Sequence, residues 1–208
     1  MTESRPLTLS LSDLTRIAVF AALVAALGLA GAVSLFGNAV PITLQTLGVM
    51  LAGTILGAWR GAISMTVLLV LVAVGFPLLS GGRGGFGVFL GPSAGYLLGW
   101  IAGAAVIGLI AAPRAGVRPR AWRVLLACLV GGIGVVYLIG VPVQSLVTGV
   151  PLGETALLSL VFVPGDLVKA VLATLITVAV AKAYPAAFGG RRSATTPGEA
   201  PTPSSKAA

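Results

Sequence analysis

The sequence contains no histidine and a single cysteine, and only five acidic residues stand against 13 basic ones in 208 positions. Each shortage excludes some chemistry. Without histidine there is no His-based catalytic triad, no His-ligated zinc and no imidazole proton relay. One cysteine, Cys128, makes neither an intrachain disulfide nor a cysteine cluster for a metal, and inside its apolar run it reads as a small packing residue. Charged residues make up 9% of the chain, against about 25% in a soluble domain. No G-x-x-x-x-G-K-[ST] occurs, so there is no P-loop with which to hydrolyse ATP. The net charge of +8 does not signal nucleic acid, because the basic residues sit between apolar runs and are not interleaved with aromatics on one solvated face.

What is present is hydrophobic length: 57% of residues are apolar. About 20 apolar residues cross a bilayer, and six runs qualify as spans, at roughly 14–35, 40–58, 62–79, 94–112, 122–141 and 156–183. The expected fold is all-α, a polytopic integral membrane protein with a six-transmembrane-helix bundle. The run from Ile17 to Phe36 is longer than the h-region of a signal peptide, about 7–15 residues, and reads as a retained first span. Trp59-Arg60-Gly61 reads as the tight turn between the second and third helices. Pro164-Gly165 interrupts the sixth run; Pro164 restarts the helix there, with Asp166 in its first turn, where the dipole favours negative charge. Residues 1–13 are then a cytoplasmic segment, 14–184 the transmembrane domain, and 185–208 a disordered cytoplasmic tail, rich in Gly, Ser, Thr and Pro, with no assigned function.

An even number of spans places both termini on one side of the cell membrane. If that side is the cytoplasm, it holds Arg5, Arg16, Arg60, Arg114, Arg118, Arg120, Arg123, Lys182, Arg191, Arg192 and Lys206, leaving Arg83 and Lys169 elsewhere. This is the positive-inside asymmetry. The link before VPITLQT, the loop LLSGGRGGFGVFLGPSAGYL and the segment preceding Asp166 then converge on the outer face.

Asp166 and Lys169 stand in an otherwise apolar stretch, where a charge at the bilayer centre costs about 2.5–3.5 kcal/mol and therefore tends to face a protein interior. Spaced i, i+3, they share a helix face. The pair is either a grip for a small polar ligand or a self-neutralising structural ion pair. Gly82-Arg83-Gly84-Gly85-Phe86-Gly87 matches G-x-G-x-x-G only formally, because no βαβ unit surrounds it. Its glycines, Gly84 and Gly85 among them, let a lid loop bend close to a ligand. Gln45 and Tyr96, at the outer starts of the second and fourth spans, can offer hydrogen bonds from an apolar wall. Tyr96 taken alone reads as an interfacial aromatic, like Trp122 at the other side, whereas a buried amide such as Gln45 needs partners. Ala18, Ala22 and Ala26 form a flat face on the first span, suited to a partner helix or to packing within the bundle.

VPITLQTLGVMLAG, then GGRGGFGVFLGPSAGYLLG, then PGDLVKA resembles the BioY family, the biotin-specific S components of energy-coupling factor (ECF) transporters, over Leu14 to Tyr184. The resemblance implies a six-helix S-component bundle that is not an enzyme, with biotin as transported substrate and no cofactor. It implies a substrate site near the outer face, under the loops joining spans one–two and three–four, with Asp166 and Lys169 as the family's charged pair. Asp166 would accept from the ureido N–H groups; Lys169 would meet either the ureido carbonyl or the carboxylate. Gln45, Tyr96, Gly84 and Gly85 complete the expected substrate-binding set, and Ala18 and Ala22 the docking face for a transmembrane T component that works with two ABC-type ATPases. Some members of the family act without dedicated ATPases. Ser93 and Ala94 in GPSAGYL are conservative departures from the family's GPT-G-GYL.

Membrane lipid is the remaining expected partner, with homo-oligomers when the chain is alone. The competing readings are an S component for another vitamin, a structural assembly subunit, and an intramembrane enzyme. A cationic vitamin would favour more acid than Asp166, and a flavin more aromatic surface than 6% supplies. An enzyme could only couple Ser64 to Lys169 by supposition.

Overall fold

Helix α1 (Leu11–Leu29) starts where Ser10 and Asp13 cap each other: the Asp13 amide donates to Ser10 Oγ, and the Ser10 amide donates to Asp13 Oδ2, both at 3.2 Å. The computed structural model describes residues 10–33, 40–111 and 119–188. Most of the two terminal segments, the link at 34–39, Arg5, Arg114, Arg118, Arg191, Arg192 and Lys206 lie outside the described residues. Ile17, Ala21, Val24 and Gly28 form the buried stripe of α1.

The first connection is not helical. Ala32–Val33 (β1) pairs antiparallel with Ile42–Thr43 (β2), so the first span stops at Leu29 and the second begins only at Gln45. Valine, isoleucine and threonine favour such a ladder, and Pro41 resists helix. Helix α2 (Gln45–Leu51) continues as a π-helical turn (Ala52–Leu56) and ends at Gly57, with φ +82°. Helix α3 (Ala58–Val74) starts at the next residue. The reversal therefore sits at Gly57, and Trp59-Arg60-Gly61 form the first turn of α3. Only glycine holds a positive φ without strain, which Trp59 and Arg60 could not.

A loop containing a 3₁₀ turn (Phe86–Leu90) leads to α4 (Ala94–Ala111). The next span is longer than its expected 122–141. Helix α5 (Ala121–Ala127), a π-helical stretch (Cys128–Val135) and α6 (Val136–Thr148) run as one 28-residue helix through Pro142. Proline is tolerated in a membrane helix because neighbours can satisfy the freed backbone groups. Helix α7 (Leu152–Ser159) and a 3₁₀ turn (Leu160–Phe162) deliver the chain to α8 (Val163–Ala183), which has both Pro164 and Asp166 in its first turn.

Four of these helices are long and apolar enough to cross a membrane; Gln45–Leu56 and Ala58–Val74 are shorter apolar helices completing the bundle. Helix α4 is its axis, with 61% of its residues buried against 22% for α1. A helix apolar all round belongs in the middle. The two poles differ in charge. At one, Asp13 Oδ1 pairs with Arg60 Nε at 2.7 Å, Arg16 donates to the Ala187 carbonyl, and Arg123 donates to the Ile110 carbonyl. Ser64 donates to the Ile17 carbonyl at 2.9 Å and so closes α3 on α1. It does not serve Lys169.

Candidate functional site

A cavity opens at the opposite pole, where α2, α4, α6 and α8 meet beneath the connections at 40–43 and 75–93. Its base is the charged pair. One turn of α8 separates Asp166 from Lys169, and Lys169 Nζ lies 2.9 Å from Asp166 Oδ1, the two side chains being 5% and 7% exposed. Thr46 of α2 joins them: its Oγ1 accepts from Lys169 at 3.0 Å and donates to Asp166 Oδ1 at 3.2 Å. From α6, Tyr137 donates its hydroxyl to Asp166 Oδ2 at 2.6 Å. Charge-assisted bonds of this kind are what make a buried ion pair tolerable. An ammonium has three donors and a carboxylate about four acceptor positions. Among the described residues the pair therefore keeps one N–H on Lys169 and one lone pair on Asp166 unused.

Aromatic residues build the wall. Tyr96 of α4 meets Tyr137 edge-on at 6.0 Å and Phe162 at 6.4 Å, both with interplanar angles of 79°. It is buried, and its hydroxyl donates to Gln144 Oε1 at 2.8 Å and lies 3.0 Å from Ser159 Oγ. The interfacial reading of Tyr96 is thus corrected: its hydroxyl meets polar side chains from α6 and α7, inside the bundle. Trp100, one turn further along α4, also lines the cavity, and its buried Nε1–H finds no acceptor among the described residues.

Gln45 lines the cavity, but protein atoms take its hydrogen bonds. Its Nε2 donates to the carbonyls of Val24 (3.2 Å) and Leu78 (3.0 Å), and its Oε1 accepts from the amide and hydroxyl of Ser80 at 3.1 and 3.0 Å. It clamps α1, α2 and the α3–α4 loop together. Gly84 and Gly85 shape the loop without lining the cavity themselves: Gly84 lies against the Phe76 carbonyl, and the Gly85 amide donates to the Val72 carbonyl at 2.8 Å. Their neighbour Arg83 does line the cavity. Its Nε donates to the Ser80 carbonyl at 3.2 Å and its Nη1 to Ser93 Oγ at 3.4 Å, and burial lowers its pKa without removing the charge.

Sequence reasoning missed Thr46, Tyr137 and Trp100. The available signal was a polar group inside an apolar run, which Thr46 and Tyr137 both are. Ala18 and Ala22 stay exposed on α1, while Ala21 turns inward; the alanines edge an apolar groove completed by Val67, Leu71 and Phe76. Among the described residues no cluster of His, Cys, Asp or Glu could hold a metal.

A helical bundle built for a bilayer, with a partly free ion pair under an aromatic wall at one pole, defines an integral membrane protein with a cavity suited to a small polar molecule. The BioY family model matches residues 1–186, and the chain belongs to that family. It is 45% identical to the biotin transporter BioY of Rhizobium etli over 182 residues, 85% of this chain and 97% of that protein. It is 46% identical to the probable biotin transporter BioY of Bacillus subtilis over 175 residues, covering 84% and 93%. Its fold is similar to a crystal structure of the S-component for biotin from an ECF-type ABC transporter, with TM-score 0.76 and 32% identity over 88% of this chain and 95% of that one.

Proposed function

We propose that this chain is the substrate-binding membrane subunit for biotin uptake, capturing biotin at the outer face and delivering it inward with ECF partners. The observation that carries this reading is the unused donor and acceptor on Lys169 and Asp166. The ureido ring of biotin presents N–H groups beside a carbonyl. Asp166 Oδ2 accepts from the ring nitrogen and the third N–H of Lys169 reaches the carbonyl, while Tyr96, Tyr137, Trp100 and Phe162 enclose the apolar part of the bicycle. A cationic vitamin would meet Lys169 and Arg83 in the same cavity and be repelled. Protein purified without added vitamin is expected to release biotin in mass spectrometry; reproducible recovery of a different vitamin would overturn the assignment.

The chain has no P-loop, which leaves partners or an ion gradient to supply the energy; membership of the family favours partners, a transmembrane T component and two ABC-type ATPases. Ala18 and Ala22 are the docking face on α1, where small residues allow close helix approach. Ala18→Trp and Ala22→Trp are expected to weaken co-purification with the T component and cut biotin uptake, with biotin affinity unchanged. Normal assembly and uptake in both variants would make α1 a packing helix only.

The cavity faces outward and both termini face the cytoplasm, from the gathering of Arg16, Arg60 and Arg123 at the other pole. Reporter fusions at Thr195 and within Arg114–Arg120 should both read as cytoplasmic. An external signal at either position sinks this orientation.

A further inference from the structure

The two poles of the bundle carry unequal charge. Among the described residues the cavity pole balances, with Arg83 and Lys169 against Glu154 and Asp166. The opposite pole holds Arg16, Arg60, Arg120, Arg123 and Lys182 against Asp13 alone. Contacts gather these groups at one end: Asp13 joins α1 to Arg60, Arg123 reaches the last turn of α4, and Arg16 meets Ala187, a turn beyond α8, whose last turn holds Lys182. Arg120, Arg123 and Lys182 are exposed, and none of them pairs with a carboxylate among the described residues.

Within that pole one tripeptide occurs twice. Ala58-Trp59-Arg60 opens α3 and Ala121-Trp122-Arg123 opens α5. Both abut the end of α4: Gly108 lies too close to the Ala58 backbone to admit a Cβ, and the Ile110 carbonyl accepts from Arg123. The two guanidiniums are anchored alike, Arg60 through Nε to Asp13 and Arg123 through Nε to that carbonyl. No Nη group of either makes a hydrogen bond among the described residues, which leaves four N–H donors on each. The indoles beside them are exposed, 56% at Trp59 and 63% at Trp122. An indole, apolar with one polar N–H, settles where acyl chains meet headgroups. A guanidinium fork next to it matches a phosphate.

We propose that this pole binds the headgroups of anionic phospholipids, with the two Trp-Arg pairs as the grip: each indole lies at headgroup level and each guanidinium donates to a lipid phosphate. A zwitterionic headgroup offers the same phosphate but adds a cation, which Arg120 and Lys182 repel. An anionic headgroup keeps its net negative charge and is drawn to all five cations. Clusters of about four to eight Lys and Arg beside a membrane helix attract anionic lipid in this way. The grip lies at the end remote from the cavity and is independent of which molecule the cavity takes.

The test uses the three tryptophans of the chain as reporters. Trp100 is buried, so lipids brominated on their acyl chains quench Trp59 and Trp122. Full-length protein is reconstituted in bilayers that mix phosphatidylglycerol with phosphatidylcholine, one or the other brominated. At low salt the tryptophans are expected to report a preference for phosphatidylglycerol of about five-fold, the effect of one cation near a membrane surface. The preference should fall in about 1 M sodium chloride, where the screening length is about 3 Å. Arg123→Gln, at an exposed position far from the cavity, should reduce it and leave biotin affinity unchanged. Trp59→Phe combined with Trp122→Phe leaves Trp100 as the only emitter and should show no preference. Equal quenching by the two brominated lipids in wild type at low salt overturns the proposal, whether or not the variants fold. A preference unchanged by high salt or by Arg123→Gln overturns it too, as does one still reported by Trp100 alone, which would place the selected lipid elsewhere. Loss of the preference when sodium phosphate replaces chloride at equal ionic strength would make the arginines a site for a free anion, and the lipid assignment would fall.

Discussion

Asp166→Asn and Lys169→Met are each expected to weaken biotin binding by about ten- to a hundred-fold or more. A charge-assisted hydrogen bond contributes roughly 1.5–3 kcal/mol, and each change removes one from the ligand. Asp166→Asn keeps the size of the side chain but turns one acceptor into a donor, in a place where Lys169, Thr46 and Tyr137 all donate. Lys169→Met keeps the apolar stem and leaves the buried carboxylate with hydroxyl partners alone. A purely structural ion pair makes a different forecast. Single changes would strand a buried charge and damage folding, while Asp166→Asn combined with Lys169→Met would restore both folding and binding. Calorimetric titration of the folded single and double variants separates the two cases. Full biotin affinity in the folded double variant would show that the pair holds the protein and not the ligand.

Gly140→Val should destabilise the protein and weaken biotin binding together. Gly140 faces the ring of Tyr96, and a Cβ built there would lie 2.6 Å from Tyr96 Cγ, far inside contact distance. Tyr96 cannot simply withdraw, because its hydroxyl is held by Gln144, one turn along the same face of α6, and it packs on Tyr137 and Phe162. Overpacking a filled core costs about 1–3 kcal/mol, and here the displaced ring is a wall of the cavity. Gly153→Ala, where nothing lies within 4 Å, is the control and should leave both properties unchanged. The measurements are the thermal transition and the biotin affinity at a temperature where both variants are folded. Unaltered affinity in folded Gly140→Val would remove Tyr96 from the binding wall.

Several features of this protein were written locally in the chain. Hydropathy marks the apolar helices because each must suit the bilayer along its own length. The i, i+3 spacing of Asp166 and Lys169 places them on one face of whatever helix contains them, and Pro164 starts that helix because its ring forbids an amide donor there. The small-residue face of α1 is equally local, and Ala18 and Ala22 remain on its surface. Element ends were less legible. Gly57 and Trp59-Arg60-Gly61 are both plausible turns in an apolar stretch, and only the backbone shows the positive φ at Gly57. Pro142 reads as the end of a span, yet the helix passes through it.

What the sequence by itself determined is the solvent, the helices, the unequal charge of the two ends and the presence of one buried ion pair on α8. Each follows from residue types and short spacings. What only the tertiary structure decided is the company that pair keeps. Thr46 meets Asp166 across 120 residues of chain, Tyr137 reaches it from α6, and Gln45 and Ser80 lock a loop that presents Arg83 to the same cavity. Local propensity cannot specify such contacts, because they exist only once separate helices have packed and each buried polar group has had to find a partner in the space that remains.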